Sequence, residues 1–402
     1  MSRRKRRRPV PESERLNRTL SNGSPPRHDR GGMDPTVLTL VLVLIALGTL
    51  MVYSASSAVA TERFGDSAWY LKRHLLRAGL GLALMFILAR ARQARIVRLG
   101  RPLLIVAIVL LCLVLLPGLG GVSSNGASRW LAFGPLSFQP SELARFALLL
   151  WLADVLVERR NTLTNFREGL VPVLVPVAAV LVLVVVEDFS TAVALGLIAV
   201  AMILLAGARP LHLAGLGAAA LPLICFAMMG SPYRRARLAA YLEHGSGLQD
   251  ANYQVWQSLI GLGDGGLLGK GLGHSAQKLR FLPEPFNDFI YSIIGEELGF
   301  IGAVVVLILF MLLVVRGLRI AGAAPSGTGA LLAAGISITI GIYALINVGV
   351  VTALLPATGL ALPFISYGGS SLIFSLAGAG LLLSVSRETD LAAGSKGRGL
   401  LP

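Results

Sequence analysis

Long apolar runs alternate with short polar connections over most of this chain. A helix that crosses a bilayer needs roughly 20 predominantly apolar residues, and ten runs approach or exceed that length. These runs lie at 35–56, 74–90, 99–117, 141–157, 169–186, 189–206, 211–230, 288–315, 329–355 and 363–387. The pattern predicts an all-α integral membrane protein with ten transmembrane helices and a long outward-facing loop between helices seven and eight.

The same pattern predicts three parts. A basic cytoplasmic tail, 1–34, is rich in Arg, Pro, Ser and Gly and has no apolar stripe, so we expect it to be disordered. The membrane domain covers 35–387 and includes the large outer loop, 231–287. A short cytoplasmic tail, 388–402, completes the chain.

Composition agrees with a membrane protein, since 54% of the residues are hydrophobic, 14% are charged and the mean hydropathy is +0.72. The net charge of +15 lies largely in the basic tail and the loops, so it indicates contact with anionic membrane lipid and not with nucleic acid. Cys112 and Cys225 fall inside apolar runs, where we expect buried, unpaired thiols.

The distribution of arginine sets the expected orientation, because short cytoplasmic loops are enriched in Lys and Arg. The connections after the second, fourth, sixth and eighth runs are all basic, which places both termini in the cytoplasm. The outer loop 231–287 breaks this rule. One interpretation is that a long loop can break the rule without any functional meaning. The other is that the cations of this loop bind an anionic ligand. These cations are Arg234, Arg235, Arg237, Lys270, Lys278 and Arg280.

An acid stands where the eighth run begins, in the segment FLPEPFNDFIYSIIGEELGF at 281–300. On a helix starting near Asp288, Glu296 would lie roughly 12 Å further along and Glu297 on the opposite side, with Gly299 on the face of Asp288. Ionisable groups in membrane helices are candidates for function. The alternative is that Asp288 only caps the helix N-terminus.

Two glycine patterns carry little weight. Gly261, Gly263 and Gly266 satisfy G-x-G-x-x-G, but no strand and crossover helix surround them. The pair Gly269–Lys270 lacks the rest of a phosphate loop. We expect the glycines of 261–273 to allow tight turns and close backbone approach instead.

Two other outer segments are polar. Asn125–Gly126 predicts a turn, and Glu142 and Arg145 are spaced to meet on one helix face, where a structural ion pair is the favoured interpretation. The run 356–371 holds prolines, glycines and serines, which would unwind a helix unless it lines a cavity.

Longer motifs point to one family. They are MVYSASS at 51, NGASRW at 125, FQPSELAR at 138, YQVWQSLIGLGDGGLLGKGLGHSAQKL at 253, LPEPFNDFIYSIIGEELG at 282, INVGVV at 346 and LPATGLALPFISYGGSS at 355. With these motifs the chain resembles the SEDS family (shape, elongation, division and sporulation) over nearly the whole membrane region.

The resemblance implies a ten-helix peptidoglycan glycosyltransferase that polymerises lipid II on the outer face of the cytoplasmic membrane. It also implies a class B penicillin-binding protein as partner, with other divisome proteins, and it puts the catalytic aspartate at Asp288. The chain departs from the usual Ala-His-Thr before that acid, because it has Pro285, Phe286 and Asn287. It also has Arg145 where the family usually has lysine.

In this reaction the 4-hydroxyl of an acceptor sugar attacks an anomeric carbon and the undecaprenyl pyrophosphate leaves. Asp288 would take the hydroxyl proton as general base, and a single attack predicts inversion. The leaving pyrophosphate needs cations, supplied by side chains or by a divalent ion, Mg²⁺ or Mn²⁺. The predicted substrate-binding residues are Arg129, Glu142, Arg145, Lys270, Lys278, Arg280, Ser366 and Ser370.

Two other functions remain open at this point. A lipid II flippase would use the acids Glu296 and Glu297 within the membrane. A scaffold that only holds the transpeptidase would not need Asp288. Within the family, the long basic tail and NGASRW favour a division-type member at the septum over an elongation-type member.

Overall fold

The structure is a computed structural model that describes residues 32–116, 123–124, 127–128, 130–133, 136–230, 232–242 and 253–398. Apart from two short hairpins, the regular elements in these ranges are helical. The α-helices are α1 (Pro35–Phe64), α2 (Trp69–Arg90), α3 (Gln93–Arg98), α4 (Gly100–Leu115), α5 (Pro140–Glu158), α6 (Val171–Glu187), α7 (Phe189–Leu205), α8 (Pro210–Met229), α9 (Pro232–Leu242), α10 (Tyr253–Gly265), α11 (Ile290–Ala323), α12 (Gly327–Val351) and α13 (Gly369–Arg398). Single π-helical turns occupy Phe166–Leu170 and Gln277–Phe281.

Each of the ten predicted runs overlaps one of these helices. Within the described residues, six helices are long and apolar enough to cross a membrane: α1, α6 with its preceding turn, α8, α11, α12 and the first part of α13. Helices α4 and α7 are apolar but shorter. A multi-pass helical membrane protein is therefore confirmed, while the count of ten spans stays a prediction.

Polar side chains fix where several helices begin. The carboxylates of Asp34 and Asp188 accept hydrogen bonds from the amides of Val37 (3.0 Å) and Thr191 (3.1 Å), at the starts of α1 and α7. Such caps satisfy amides that have no partner inside the helix. The cap of α1 has a second role, since Asp34 also forms an ion pair with Arg316 of α11 at 2.7 Å.

Close helix contacts depend on small residues. Helix α2 packs along α13, where Gly81 faces Leu376 and Gly380 lies against the backbone of Met85. A side chain at either glycine would separate the two helices, so the pair needs small residues as membrane helices commonly do. Gln93, next to α2, donates to Ser326 at 2.7 Å at the same end of the bundle as Asp34, which we call the Asp34 end.

Helix α11 is broken near its beginning. Gly299 has φ 71° and ψ −174°, which interrupts the helical hydrogen bonds. The loop after α10 replaces them: the amides of Lys270 and Gly271 donate to the carbonyls of Glu296 and Glu297, both at 3.0 Å. In return the amides of Phe300 and Ile301 donate to the carbonyls of Gly266 and Leu267. The expected role of the loop glycines in close backbone approach is confirmed.

The short hairpins connect α4 to α5. Strands β1 (Ser123–Ser124) and β2 (Ala127–Ser128) are antiparallel, as are β3 (Leu131–Phe133) and β4 (Leu136–Phe138). The predicted turn at Asn125–Gly126 falls between β1 and β2 but outside the described residues. These hairpins are an addition to the predicted all-α fold.

Other predictions need correction. Helix α11 begins at Ile290, so Asp288 precedes the helix, and the expected shared face with Gly299 is wrong because the helix breaks there. Cys112 and Cys225 are exposed on apolar helices instead of buried, because both point away from neighbouring helices.

The structure describes only part of the two predicted tails, whose assignment as cytoplasmic tails stays a prediction. Helix α13 continues to Arg398 and so includes most of the C-terminal tail 388–402. At the other end, residues 1–31 of the predicted disordered tail 1–34 lie outside the described residues, whereas Asp34 is ordered by its cap and its ion pair.

Candidate functional site

Asp288 lies in the turn between the π-helical turn Gln277–Phe281 and α11. Asp288 is half-buried. Burial raises the pKa of the Asp288 carboxyl to about 6, against the lowering effects of its own backbone amide and of Arg237. A carboxyl in that range is ionised at neutral pH and still basic enough to accept a proton.

Two long-range hydrogen bonds hold this turn. The side-chain amide of Asn347 on α12 donates to the main-chain carbonyl of Asp288 at 2.7 Å and to that of Leu360 at 2.8 Å. The amide of Tyr367 donates to the carbonyl of Phe286 at 2.9 Å. Asp288 is therefore fixed against the non-helical segment between α12 and α13.

That segment also brings a glycine to the carboxylate. Gly359 has φ 80°, and a Cβ at this position would lie 3.8 Å from the Asp288 Oδ2 atom. The absence of a side chain leaves space beside the carboxylate. The expectation that the run 356–371 leaves the helical state is confirmed by the gap between Val351 and Gly369.

A cavity of about 280 Å³ lies beside this segment, among α7, α9 and α12. Thr358, next to Gly359, is part of its wall, and so is Arg237, whose charge acts on Asp288. The full lining is Asp188, Phe189, Ser190, Val193, Leu197, Met228, Arg234, Arg237, Leu238, Ile346, Leu355, Pro356, Ala357 and Thr358. Its walls are mainly apolar, with two cations and one acid.

The two cavity arginines are held by backbone carbonyls. Arg237 donates to Ala357 O at 3.0 Å, and Arg234 donates to Val185 O at 2.8 Å and Ala227 O at 3.1 Å. Carbonyls position a guanidinium without neutralising its charge. Both arginines belong to the outer loop that the charge pattern marked as basic, but neither was among the predicted substrate-binding residues.

Glu142 and Arg145 form the ion pair that their spacing predicts, and both side chains are buried. The Arg145 guanidinium also stacks over the ring of Tyr343, 4.6 Å from its centroid. Asp188, on the cavity wall, interacts electrostatically with Glu142 and Tyr343. Asp188 was missed by the sequence reading, although an acid between two apolar runs is a detectable signal.

The structure gives Lys270 and Lys278 carboxylate partners. Lys270 bonds Asp264 at 3.0 Å and Glu296 at 3.1 Å, and the buried Lys278 lies 3.3 Å from Glu297. Glu296 also accepts from the amide of Ala276 at 2.9 Å. These contacts tie the loop to α11, and substrate binding by the two lysines stays a prediction.

The predicted serines bind backbone amides. Ser366 Oγ accepts from Leu362 N at 2.8 Å, and Ser370 Oγ accepts from Gln139 N at 3.1 Å. Arg129 and the side chain of Arg280 lie outside the described residues, so their predicted roles stay predictions.

Among the described residues, no group of three or more His, Cys, Asp or Glu side chains is arranged to hold a metal. Magnesium often uses only one or two carboxylates together with substrate phosphates. Asp288 supplies one such carboxylate. Binding of a divalent cation together with the substrate pyrophosphate therefore stays a prediction.

Comparisons with known proteins agree on one family. The family model for the cell cycle proteins FtsW, RodA and SpoVE matches residues 35–391. The chain is 42% identical over 354 residues to the probable peptidoglycan glycosyltransferase FtsW of Geobacter metallireducens, covering 88% of this chain and 94% of the relative. It is also 42% identical over 355 residues to the stage V sporulation protein E of Bacillus subtilis, covering 88% and 97%.

Two solved structures are similar. One chain of a peptidoglycan synthase complex that coordinates polymerization and crosslinking has a TM-score of 0.72 at 31% identity, covering 89% of this chain and 98% of that one. The rod shape determining protein RodA of Thermus thermophilus has a TM-score of 0.63 at 30% identity, covering 89% and 97%.

Proposed function

This chain belongs to the family of the cell cycle proteins FtsW, RodA and SpoVE, and from this we propose that it is a peptidoglycan glycosyltransferase that polymerises lipid II. The observation that carries the proposal is Asp288, a half-buried carboxylate with a raised pKa beside a cavity that has two arginines. That arrangement provides a base and a cationic environment at one place.

The chemistry follows from this geometry. Asp288 takes the proton of the acceptor 4-hydroxyl as its oxygen attacks the anomeric carbon of the lipid-linked sugar. The bond to the pyrophosphate breaks, and the undecaprenyl pyrophosphate leaves with the negative charge. Arg234 and Arg237 are placed to stabilise that charge. One attack without a covalent intermediate inverts the anomeric carbon.

We propose that the enzyme works at the septum, in the cytoplasmic membrane, with both termini in the cytoplasm. The arginine-rich connections support that orientation. The probable FtsW of Geobacter metallireducens and the stage V sporulation protein E of Bacillus subtilis are both 42% identical to this chain, and together with the long basic tail and the NGASRW segment this supports a division-type role over an elongation-type role. A fluorescent fusion that followed the side wall instead of the septum would reverse this preference.

The partner we propose is a class B penicillin-binding protein, with other divisome proteins around the pair. A neighbouring solved structure is part of a complex that coordinates polymerization and crosslinking, which supports such a partner. Membrane lipid surrounds the helices, since many large apolar side chains are exposed on them.

A flippase is less well supported. Its acids would be Glu296 and Glu297, but both are fully buried and bonded to the loop, Glu296 by Lys270 and Glu297 by Lys278. Acids bound in this way have a structural role, whereas proton- or ion-coupled transport needs groups that can titrate or exchange ligands.

The test is polymerisation of purified lipid II by the full chain with its penicillin-binding partner in nanodiscs. Asp288→Asn keeps the shape of the side chain but cannot accept the proton, so we expect glycan strands to disappear while lipid II binding persists. Asp264→Asn is the matched control, because Asp264 is an exposed carboxylate of the same outer loop. Strand synthesis by Asp288→Asn at the wild-type rate would refute the role of Asp288, and full growth of cells carrying it would favour a scaffold.

A further inference from the structure

A cluster of arginines at the Asp34 end has no assigned role. Helix α3 (Gln93–Arg98) buries Gln93, Ile96 and Val97 against the bundle. Arg92, Arg95 and Arg98 are exposed. Arg95 and Arg98 are three residues apart and so lie close together on the surface of this short helix, while Arg92 directly precedes its first residue.

The surroundings of these three side chains determine how far their charge is compensated. Within the part of the chain that the structure describes, none of them makes a side-chain hydrogen bond or ion pair. Arg101, one turn further on, differs because its guanidinium is held by Glu158 and lies 3.9 Å from Asp154. Glu388 lies near the start of this helix, where its carboxylate accepts from the amide of Gln93 at 3.2 Å, but among the described residues it forms no ion pair with the three arginines, so the row keeps a local positive potential.

A cavity of about 420 Å³ lies beside this row. Arg98 is at its edge, and the full lining is Arg98, Arg101, Asp154, Val157, Glu158 and Thr328. The acids in this wall are already engaged with Arg101, so Arg98 supplies the charge that is not neutralised.

The arginine row continues directly into an apolar surface. On α4, Ile105, Val109 and Leu113 follow Arg101 at helical spacing, and all three are exposed, as is Leu116 directly after the helix. Ile105 and Val109 expose 64% and 58% of their surface, which for an apolar membrane helix means contact with lipid. Helix α4 has 16 residues and is therefore about 24 Å long.

We propose that α3 and the first turn of α4 bind an anionic phospholipid, with its phosphate at Arg95 and Arg98 and its acyl chains along α4. This surface has a cationic end and a long apolar side. An anionic phospholipid has the complementary parts, a negatively charged headgroup and long apolar acyl chains. Free phosphate would use the charges and leave the apolar stripe without a role. An acidic soluble protein would not reach the stripe within the membrane.

Basic clusters beside the end of a membrane helix commonly bind anionic headgroups, with each arginine contributing about fivefold in affinity. Here the bound lipid would compensate arginine charges that have no ion-pair partner among the described residues. It would also fasten the connection between α2 and α4, since α3 is only six residues long.

The experiment measures lipid retained by the purified full chain in mixed micelles, by native mass spectrometry, with phosphatidylglycerol and phosphatidylcholine as probes. We expect the wild type to retain phosphatidylglycerol preferentially, and Arg95→Gln/Arg98→Gln to bind it about 30-fold more weakly. The control Arg209→Gln/Arg319→Gln removes two exposed arginines from the same end outside the cluster, and it should retain lipid as the wild type does.

A second measurement needs no variant. Raising the salt concentration with wild-type protein should release phosphatidylglycerol but not phosphatidylcholine, because salt screens exposed charges. Three results would overturn the proposal: equal retention by the double variant and the wild type, equal retention of the two lipids, or displacement of phosphatidylglycerol by an equal concentration of inorganic phosphate.

Discussion

Asn347 holds Asp288 by its main chain: the side-chain amide on α12 donates 2.7 Å to the carbonyl of Asp288 and 2.8 Å to that of Leu360. Asn347 is almost fully buried; its bond to Leu360 is buried as well, and its bond to Asp288 is partly buried. The carboxylate that carries the proposed chemistry is thus positioned by a residue that does not touch it.

Replacing Asn347 should therefore reduce activity. We expect Asn347→Ala to cost about 1–3 kcal/mol of stability, since the buried carbonyl of Leu360 and the partly buried carbonyl of Asp288 lose their donor, and to lower the polymerisation rate more than substrate binding. Rates and KM for lipid II would show this. Ser337→Ala is the control, because Ser337 is buried on the same helix and bonds only its own turn, Ala333 O at 2.7 Å. Normal turnover by Asn347→Ala would contradict the positioning role.

The acid limb of the pH–rate profile should report Asp288. Its carboxyl must be ionised to accept a proton, and its pKa is raised to about 6, so activity should fall as the pH drops through about 6. Arg237 lowers this pKa, and Arg237→Gln should therefore move the midpoint to higher pH. Arg235→Gln, on the same helix but exposed, should leave the midpoint in place. A midpoint near 4 in the wild type would show that burial does not control this carboxyl.

The backbone pairing at the break in α11 should tolerate no side chain. Gly269 and Gly299 have φ values of 82° and 71°, and a Cβ on either would collide with the main chain of the other segment. We expect Gly269→Ala or Gly299→Ala to destabilise the protein by at least ~2 kcal/mol, seen as a lower melting temperature in detergent. Gly263→Ala, a helical glycine with open space around it, should be neutral or slightly stabilising. Equal melting of all three variants would count against the pairing.

The buried pair Lys278–Glu297 should show strong coupling. Lys278→Met would leave Glu297 buried with hydrogen bonds from Ser54 but no cation, at a cost of about 3–5 kcal/mol. Lys278→Met/Glu297→Gln should recover much of that loss because no charge remains unpaired. The exposed pair Lys72–Asp66 gives the comparison, and Lys72→Met should cost about 0–1 kcal/mol. Additive losses in the double variant would show that the pair is not coupled.

The sequence predicted the helices well because crossing a bilayer requires long apolar runs, and those runs are visible without knowing any contact. The sequence also identified Asp288 as the candidate catalytic residue, through the motif LPEPFNDFIYSIIGEELG. Asn347 and Gly359 lie in two of the recognised motifs, INVGVV and LPATGLALPFISYGGSS, but the sequence could not show that they meet Asp288, because each does so across a long stretch of chain. Lys270 and Lys278 were predicted to bind substrate because their charges were visible, whereas their pairing with Glu296 and Glu297 required the fold.

At the break in α11, backbone hydrogen bonds join the loop after α10 to the first turns of α11. Four backbone hydrogen bonds join 266–271 to 296–301, and Gly265 and Gly269 bring the two main chains into contact. Pulling the loop outward would leave all four donors and acceptors unsatisfied at membrane depth, at several kcal/mol for each group. Any displacement of this region must therefore carry α10, the loop and the first turns of α11 together, while Asn347 and Tyr367 hold the turn at Asp288 against the segment between α12 and α13.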